Sequence, residues 1–277
     1  MGIFILLFLV ETASVLLFAQ NSISRPSTQF DPNLEARELF QNEVQAENRD
    51  ESLWCFREWN EEHGEKKLSA VCQTKDGELD RLLEVNGQEL NPGQRLSEDQ
   101  RLQRISNHPD EMRKKQKKQQ EDTKQAQDLL RMFPDAFRFQ YAGMKGNLME
   151  LKFSPNPDYH PSGRPAQVFH HMEGSLLLDP GQMRLAEING QLTSDVKFGW
   201  GLFGHLDRGG TFFVKQQDLG SGHWEMTELN VQMTGKALFF KTIAVRQHQT
   251  YSDFRQEPDG TTPQQALEFL LQGPTLR

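Results

Sequence analysis

The chain has 277 residues, a net charge of −8 and 36% hydrophobic residues, and its mean hydropathy is clearly negative at −0.70. The length suits one large domain. The acidic balance weighs against a nucleic-acid partner, because binding phosphates needs clustered Lys and Arg. The one basic run, Arg113 to Lys118, lies in a charged helical stretch and reads as a solvated helix face.

Residues 1–19 carry two apolar runs, IFILLFLV and SVLLFA, followed at once by the polar QNSISRPSTQ. This is the pattern of a cleaved secretory signal with its exit after Ala19. Glu11 interrupts the run and no Lys or Arg precedes it. An uncleaved anchor is the lesser alternative, since a span needs about 20 apolar residues. A periplasmic or secreted location is therefore expected. An exported chain meets no ATP or NAD pool, so no nucleotide and no other cofactor is expected. Residues 20–30 read as a linker, and 31–277 as a single β domain.

Asp31-Pro32 opens a helix that runs to Asn48, and strands are expected at 51–60, 66–74 and 78–86. Between the first two strands, His63-Gly64 offers a two-residue turn. With that turn, paired residues sum to 127, so Cys55 stands opposite Cys72 at a non-hydrogen-bonded pair, where side chains approach closest. The spacing is not Cys-x-x-Cys, and a structural cross-strand disulfide is expected.

Ser97 and Gln100 form a capping box for a helix over 97–108. A second helix is expected from Asp110 to Met132, stopped before Pro134. This charged insert at 97–132 is almost wholly polar until Ala126, so it should lie on the surface with only its end packed. From Phe137 the apolar period becomes two. After a Pro-rich loop at 156–165, strands are expected at 167–178, 182–192, 195–206, 211–218, 223–233, 237–247 and 250–255, and a last helix ends at Leu271. Closely spaced strands without intervening helices imply antiparallel hairpins. The expected fold is mainly β (α+β): a curved antiparallel sheet or half-barrel with helices packed on its concave or open side.

Residues 199–204, GWGLFG, match the dinucleotide fingerprint by letter, but they lie inside a strand pattern and lead to a Gly-Gly turn and another strand. His170, His171 and Glu173 fall on an expected strand, where neighbours point to opposite faces; only His171 and Glu173 could converge, too few ligands for a metal. No catalytic motif is present, and neither catalytic nor metal-binding residues are expected. Many large apolar side chains alternate along the meander, among them Phe137, Phe139, Phe153, Phe169, Phe212 and Phe239. Most must form a core. Phe198, Trp200 and Leu202 share one face of the expected strand 195–206 and are the candidate lining of a ligand cavity.

With its N-terminal helix, antiparallel meander and inserted helices, the chain resembles the lipoprotein-carrier superfamily, LolA/LolB-like. It is also similar to exported bacterial proteins sharing the runs VNGQEL (Val85 to Leu90) and DVKFGWGLFGHLDRGGTFF (Asp195 to Phe213). The resemblance implies a non-catalytic protein that holds a lipid or acyl chain in the concavity of the sheet. It assigns no individual residue a role. The alternative function is a structural or interaction module of the cell envelope, with an envelope protein as partner and no small ligand.

Overall fold

A computed structural model describes residues 30–62, 64–161, 163, 165–198, 204–237 and 241–272. Helix α1 (Pro32–Arg49) leads into strands β1 (Leu53–Glu62), β2 (Glu65–Thr74), β3 (Gly77–Val85) and β4 (Gln88–Glu89). Helices α2 (Pro92–Ser106) and α3 (Pro109–Ala136) follow, then β5 (Phe137–Lys145) and β6 (Leu148–Pro155). A 3-10 helix, Pro165–His171, precedes β7 (Met172–Asp179), β8 (Arg184–Leu192), β9 (Val196–Phe198) and β10 (Gly204–Leu206). The chain ends in β11 (Thr211–Asp218), β12 (Trp224–Ala237), β13 (Lys241–Glu257) and α4 (Pro263–Gln272). The strands form one curved, unclosed antiparallel sheet. Its order is β4-β3-β2-β1-β13-β12-β11-β8-β7-β6-β5, with β10 paired to β12 and β9 to β10.

The expected hairpin forms in the expected register. Glu62 pairs with Glu65 across a two-residue turn, Gly64 takes a φ of 84°, and Cys55 faces Cys72. The two cysteines are bonded, with Cα atoms 4.1 Å apart.

Several boundaries differ from the pattern. Helix α2 begins at Pro92 and not at Ser97, because Asn91 and Gln94 supply a complete capping box and Pro92 occupies the first turn. Helix α3 runs through Pro134. Only Asp135 and Ala136 follow the proline, so the lost hydrogen bond is set against the burial of Phe133, Pro134 and Ala136. Residues 167–171 are helical, not extended. The expected strand 195–206 is instead an antiparallel pair, with Phe198 opposite Gly204, so the chain reverses between them. The strands expected at 237–247 and 250–255 are one, β13, irregular at Asp253, whose φ is 57°.

Two layers of helix cover the sheet. On the convex side, α2 and α4 bury Leu102, Ala266 and Leu270 against Cys55, Ala70, Cys72 and Leu79. Helix α2 also protects an open edge. β4 is too short to pair with most of β3, and the β3 groups beyond it are met by α2 side chains. Glu98 accepts from the Leu82 amide at 2.8 Å, and Arg101 donates to the Asp80 carbonyl.

On the concave side lie α1 and most of α3, whose start reaches round the β3 edge so that Met112 joins the α2–α4 cluster. Asp31 caps α1, whose face of Ala36, Leu39, Phe40 and Val44 is buried. Asn33 accepts from the Phe139 amide and Glu43 from the Leu185 amide, so α1 lies across the strands from β5 to β8. Helix α3 spans the mouth of the unclosed sheet. Its first turns meet β3, where the Met112 carbonyl comes so near Gly77 that an added Cβ would sit 3.1 Å from it. Its last turn places Phe133 against Phe137 of β5, with ring centroids 4.3 Å apart. At about 1.5 Å per residue, its 28 residues reach roughly 42 Å.

Candidate functional site

The hollow enclosed by α1, α3 and the sheet has two chemically distinct halves. Over β5–β8, β11 and β12 it is dry and filled: Phe40, Phe133, Phe137, Phe139, Phe153, Leu151, Leu176, Leu229 and Val231 form one continuous core. The boundary falls between β12 and β13. Leu229 pairs with Gln249 and Val231 with Gln247. Across the next ladder, Gln249 pairs with Asn60 and Tyr251 with Glu58. Cross-strand partners share a face, so amide and carboxyl groups enter the inner surface within one strand spacing, beside a small apolar cluster of Trp54, Phe56 and Val71 on β1 and β2.

In the polar half, a groove of about 630 Å³ separates α3 from the sheet. Glu47 and Asn48 line it from α1, Gln119, Thr123 and Gln127 from α3, and Gln73 and Glu78 from β2 and β3. Leu53 is its one large aliphatic lining residue. Gln127 donates to Glu47 at 3.0 Å and to Asn48 at 3.2 Å, and Gln119 donates to Glu78 at 3.1 Å. Gln73 accepts from the Trp54 amide. Two buried lining atoms, Glu47 Oε1 and Thr123 Oγ1, have no hydrogen-bond partner. Buried polar atoms are normally paired, so the wall of the groove keeps unmet hydrogen-bonding capacity just beneath its surface.

Burial also sets the charge state. Desolvation pushes the Glu47 carboxyl up to about 7, against the lowering influence of the Gln127 hydrogen bond. Glu58 is likewise pushed up to about 7 by desolvation, then by the neighbouring Glu78 and Asp80 carboxylates. Desolvation raises Glu78 as well, opposed by Lys115. Glu58 accepts from Gln249 at 2.9 Å, which in turn accepts from the Tyr251 hydroxyl. The lining, which also includes Lys75, Lys124 and Arg131, is thus rich in hydrogen-bonding groups, and the raised Glu47 and Glu78 carboxyls reduce its negative charge; Glu58 stands on the same face beyond it.

Of the residues singled out in the sequence, Phe198 lies half-buried at the margin of the apolar core. Trp200 and Leu202 lie outside the described residues; the strand expected over 195–206 is two, β9 and β10, which run antiparallel. The fingerprint at 199–204 is followed by strands, not by the helix N-terminus that a dinucleotide site needs. His171 is 2.7 Å from Ser194, and Glu173 accepts from Gln191. No group of three or more His, Cys, Asp or Glu able to hold a metal occurs among the described residues.

Asp50, Ser52 and His223 do meet, but not as a hydrolytic triad. The Ser52 hydroxyl donates to Asp50 at 2.6 Å, and His223 Nδ1 faces both Asp50 (3.2 Å) and Ser52 (3.5 Å). An activated serine gives its proton to one imidazole nitrogen while the other is held by the carboxylate. Here one nitrogen serves both, and the hydroxyl of Ser52 also accepts from Trp54 Nε1. The cluster fixes the turn from α1 into β1. Beside it, Glu225 is pushed up to about 8 by burial and then by Asp50.

The sequence pattern missed the groove, although a signal was present. Gln116, Gln119, Thr123 and Gln127 recur at helical spacing and continue into Leu130 and Phe133, while Lys114, Lys117, Lys118, Glu121 and Lys124 occupy the other positions. An uncharged polar stripe on a highly charged helix marks an inward face.

No family model, curated protein or solved structure matches the chain. The cystine fits an oxidising compartment. No helix among the described residues is long and apolar enough to cross a membrane, and the apolar run at 1–19 lies outside them.

Proposed function

We propose that this chain is a non-catalytic binding protein of an oxidising compartment, and that its ligand is a neutral molecule rich in amide or hydroxyl groups held in the groove beneath α3. One observation carries this reading: a groove of about 630 Å³ is lined almost entirely by polar side chains, the glutamines of α3 foremost with Lys75, Lys124 and Arg131 beside them, and its lining residues Glu47 and Thr123 each keep a buried oxygen without a partner. Its volume lies in the range of small-molecule sites. Glutamine side chains are neither acids, bases nor nucleophiles, which favours holding a ligand over transforming one.

The acyl chain implied by the lipoprotein-carrier resemblance would belong in the apolar half. Phe40 and Phe133 stand there already, so a lipophile would enter only if α1 and α3 moved away. That filled half favours a second reading, the envelope interaction module without a small ligand.

Thermal-shift measurements with neutral oligosaccharides, neutral dipeptides and a fluorescent fatty acid separate the readings. A Tm rise with a neutral polar compound, lost in Gln119→Leu and weakened in Thr123→Val, is expected. A response to the fatty acid alone, unchanged in both variants, would favour the lipophile. No response to any of them would favour the interaction module.

A further inference from the structure

Five large apolar side chains are exposed among the described residues: Phe30, Leu34, Leu96, Tyr141 and Met144. Four of them belong to one corner of the molecule. The Phe30 ring packs edge-on against Tyr141 at 5.3 Å, and Leu34 follows one turn later on α1. Tyr141 pairs with the fully buried Leu151, and Met144 with Met149, which packs against the core. Both therefore stand on the hollow side of β5, at the rim of the sheet. Strand β5 is the terminal strand of that sheet, and its register shifts between Tyr141 and Gly143. Such an irregular edge discourages strand addition, so the apolar side chains, and not the edge, are what the corner offers to a partner.

The sequence before Phe30 indicates which partner. The apolar run ends at Ala19, and Asn21 to Gln29 joins it to this corner. With Gln20 the connecting segment is ten residues, which span at most about 36 Å. Where the run is retained as the uncleaved anchor, the alternative to its removal after Ala19, a bilayer that holds it keeps this corner within reach of its surface. Tyr and Phe rings and Met and Leu side chains suit the boundary between headgroups and acyl chains. We propose that the α1–β5 corner, through Phe30, Leu34, Tyr141 and Met144, docks on the surface of a lipid bilayer. This surface lies apart from the groove, and the inference stands whether or not the groove takes a ligand.

The test uses the full chain in vesicles of phosphatidylcholine with a minority of phosphatidylglycerol, doped with a lipid spin-labelled near the headgroup. An environment-sensitive fluorophore is placed by Leu34→Cys, Met144→Cys or Leu96→Cys in turn; Cys55 and Cys72 are bonded to each other and do not react. Leu96 is as exposed as Leu34, at 61% against 63%, but lies on α2. Quenching at positions 34 and 144 several-fold above that at 96 is expected, and Tyr141→Ser should reduce it at position 34. Equal quenching at all three positions would overturn the proposal. So would a concentration-dependent blue shift at 144 without vesicles, which would assign the corner to a second copy of the chain.

Discussion

The two halves of the hollow are built from the same sheet and the same long helix, yet they hold together by different means. Over β5–β12, α1 and the end of α3 exclude water with interlocking rings; Phe133 alone lies within 6 Å of Phe40, Phe137, Phe153 and Phe169. Over β1–β3 and β13, the inner face mixes amide and carboxyl groups with a small cluster of Trp54, Phe56 and Val71, and the strands are also held from the other face by the cystine and by α2 and α4. The difference teaches where stability and binding capacity reside. A dry, filled half leaves no room for a ligand, whereas a polar half supported from its outer side can keep a groove.

The comparison predicts that substitutions act unequally across the boundary. Phe133→Ala, at 6% exposure in the centre of the ring cluster, should cost about 3–5 kcal/mol in denaturant unfolding, the range for a large buried aromatic. A loss below about 1 kcal/mol would mean that the apolar half is not close-packed. Replacing both Cys55 and Cys72 by Ala should cost about 3 kcal/mol on the loop-entropy model, and should loosen β1 and β2 before β5–β8. Hydrogen exchange resolved by strand would check that order.

The next effect depends on pH. The pKa values of Glu47, Glu58 and Glu225 are raised in the folded chain, to about 7, 7 and 8, above the usual carboxylate range. Between that range and those values the folded state binds more protons than the unfolded one, so these groups lower stability as pH rises from about 4.5 to 8. Glu47→Gln should therefore leave stability unchanged near pH 5 and raise it near pH 8, by on the order of 1–3 kcal/mol. A variant equally stabilised at both values would assign the gain to packing. Thr123→Val removes a buried hydroxyl that has no partner and should raise stability modestly; the smallest effects are expected at Lys114→Ala and Lys117→Ala on the exposed face of α3. Each should stay within about 0.5 kcal/mol.

Legibility in the sequence followed the same division. The β1–β2 hairpin, its register and the cystine were readable because Gly64 and strict pairing leave little choice. The apolar half announced itself by alternation from Phe137 onward. What escaped were features set by neighbours. Asn91 outcompeted Ser97 as cap because Pro92 and Gln94 stand with it. Pro134 stayed helical because burial of Phe133 and Ala136 offset one missing hydrogen bond. The single strand at 195–206 was in fact a reversal, which periodicity of two cannot distinguish from an extended run. The groove was hidden for a related reason. A polar helix reads as solvated, and only the inward stripe of Gln119, Thr123 and Gln127 distinguishes α3 from a surface helix. Even Met112, within the stretch expected to pack little, is buried against the convex-side cluster.

The most direct test of this division is a carbon-detected NMR titration of the glutamate carboxyl groups. The account predicts that Glu47 and Glu58 titrate near pH 7, above the ordinary carboxylate range. Midpoints in the ordinary carboxylate range for both would show the polar half open to bulk solvent, and would contradict the account.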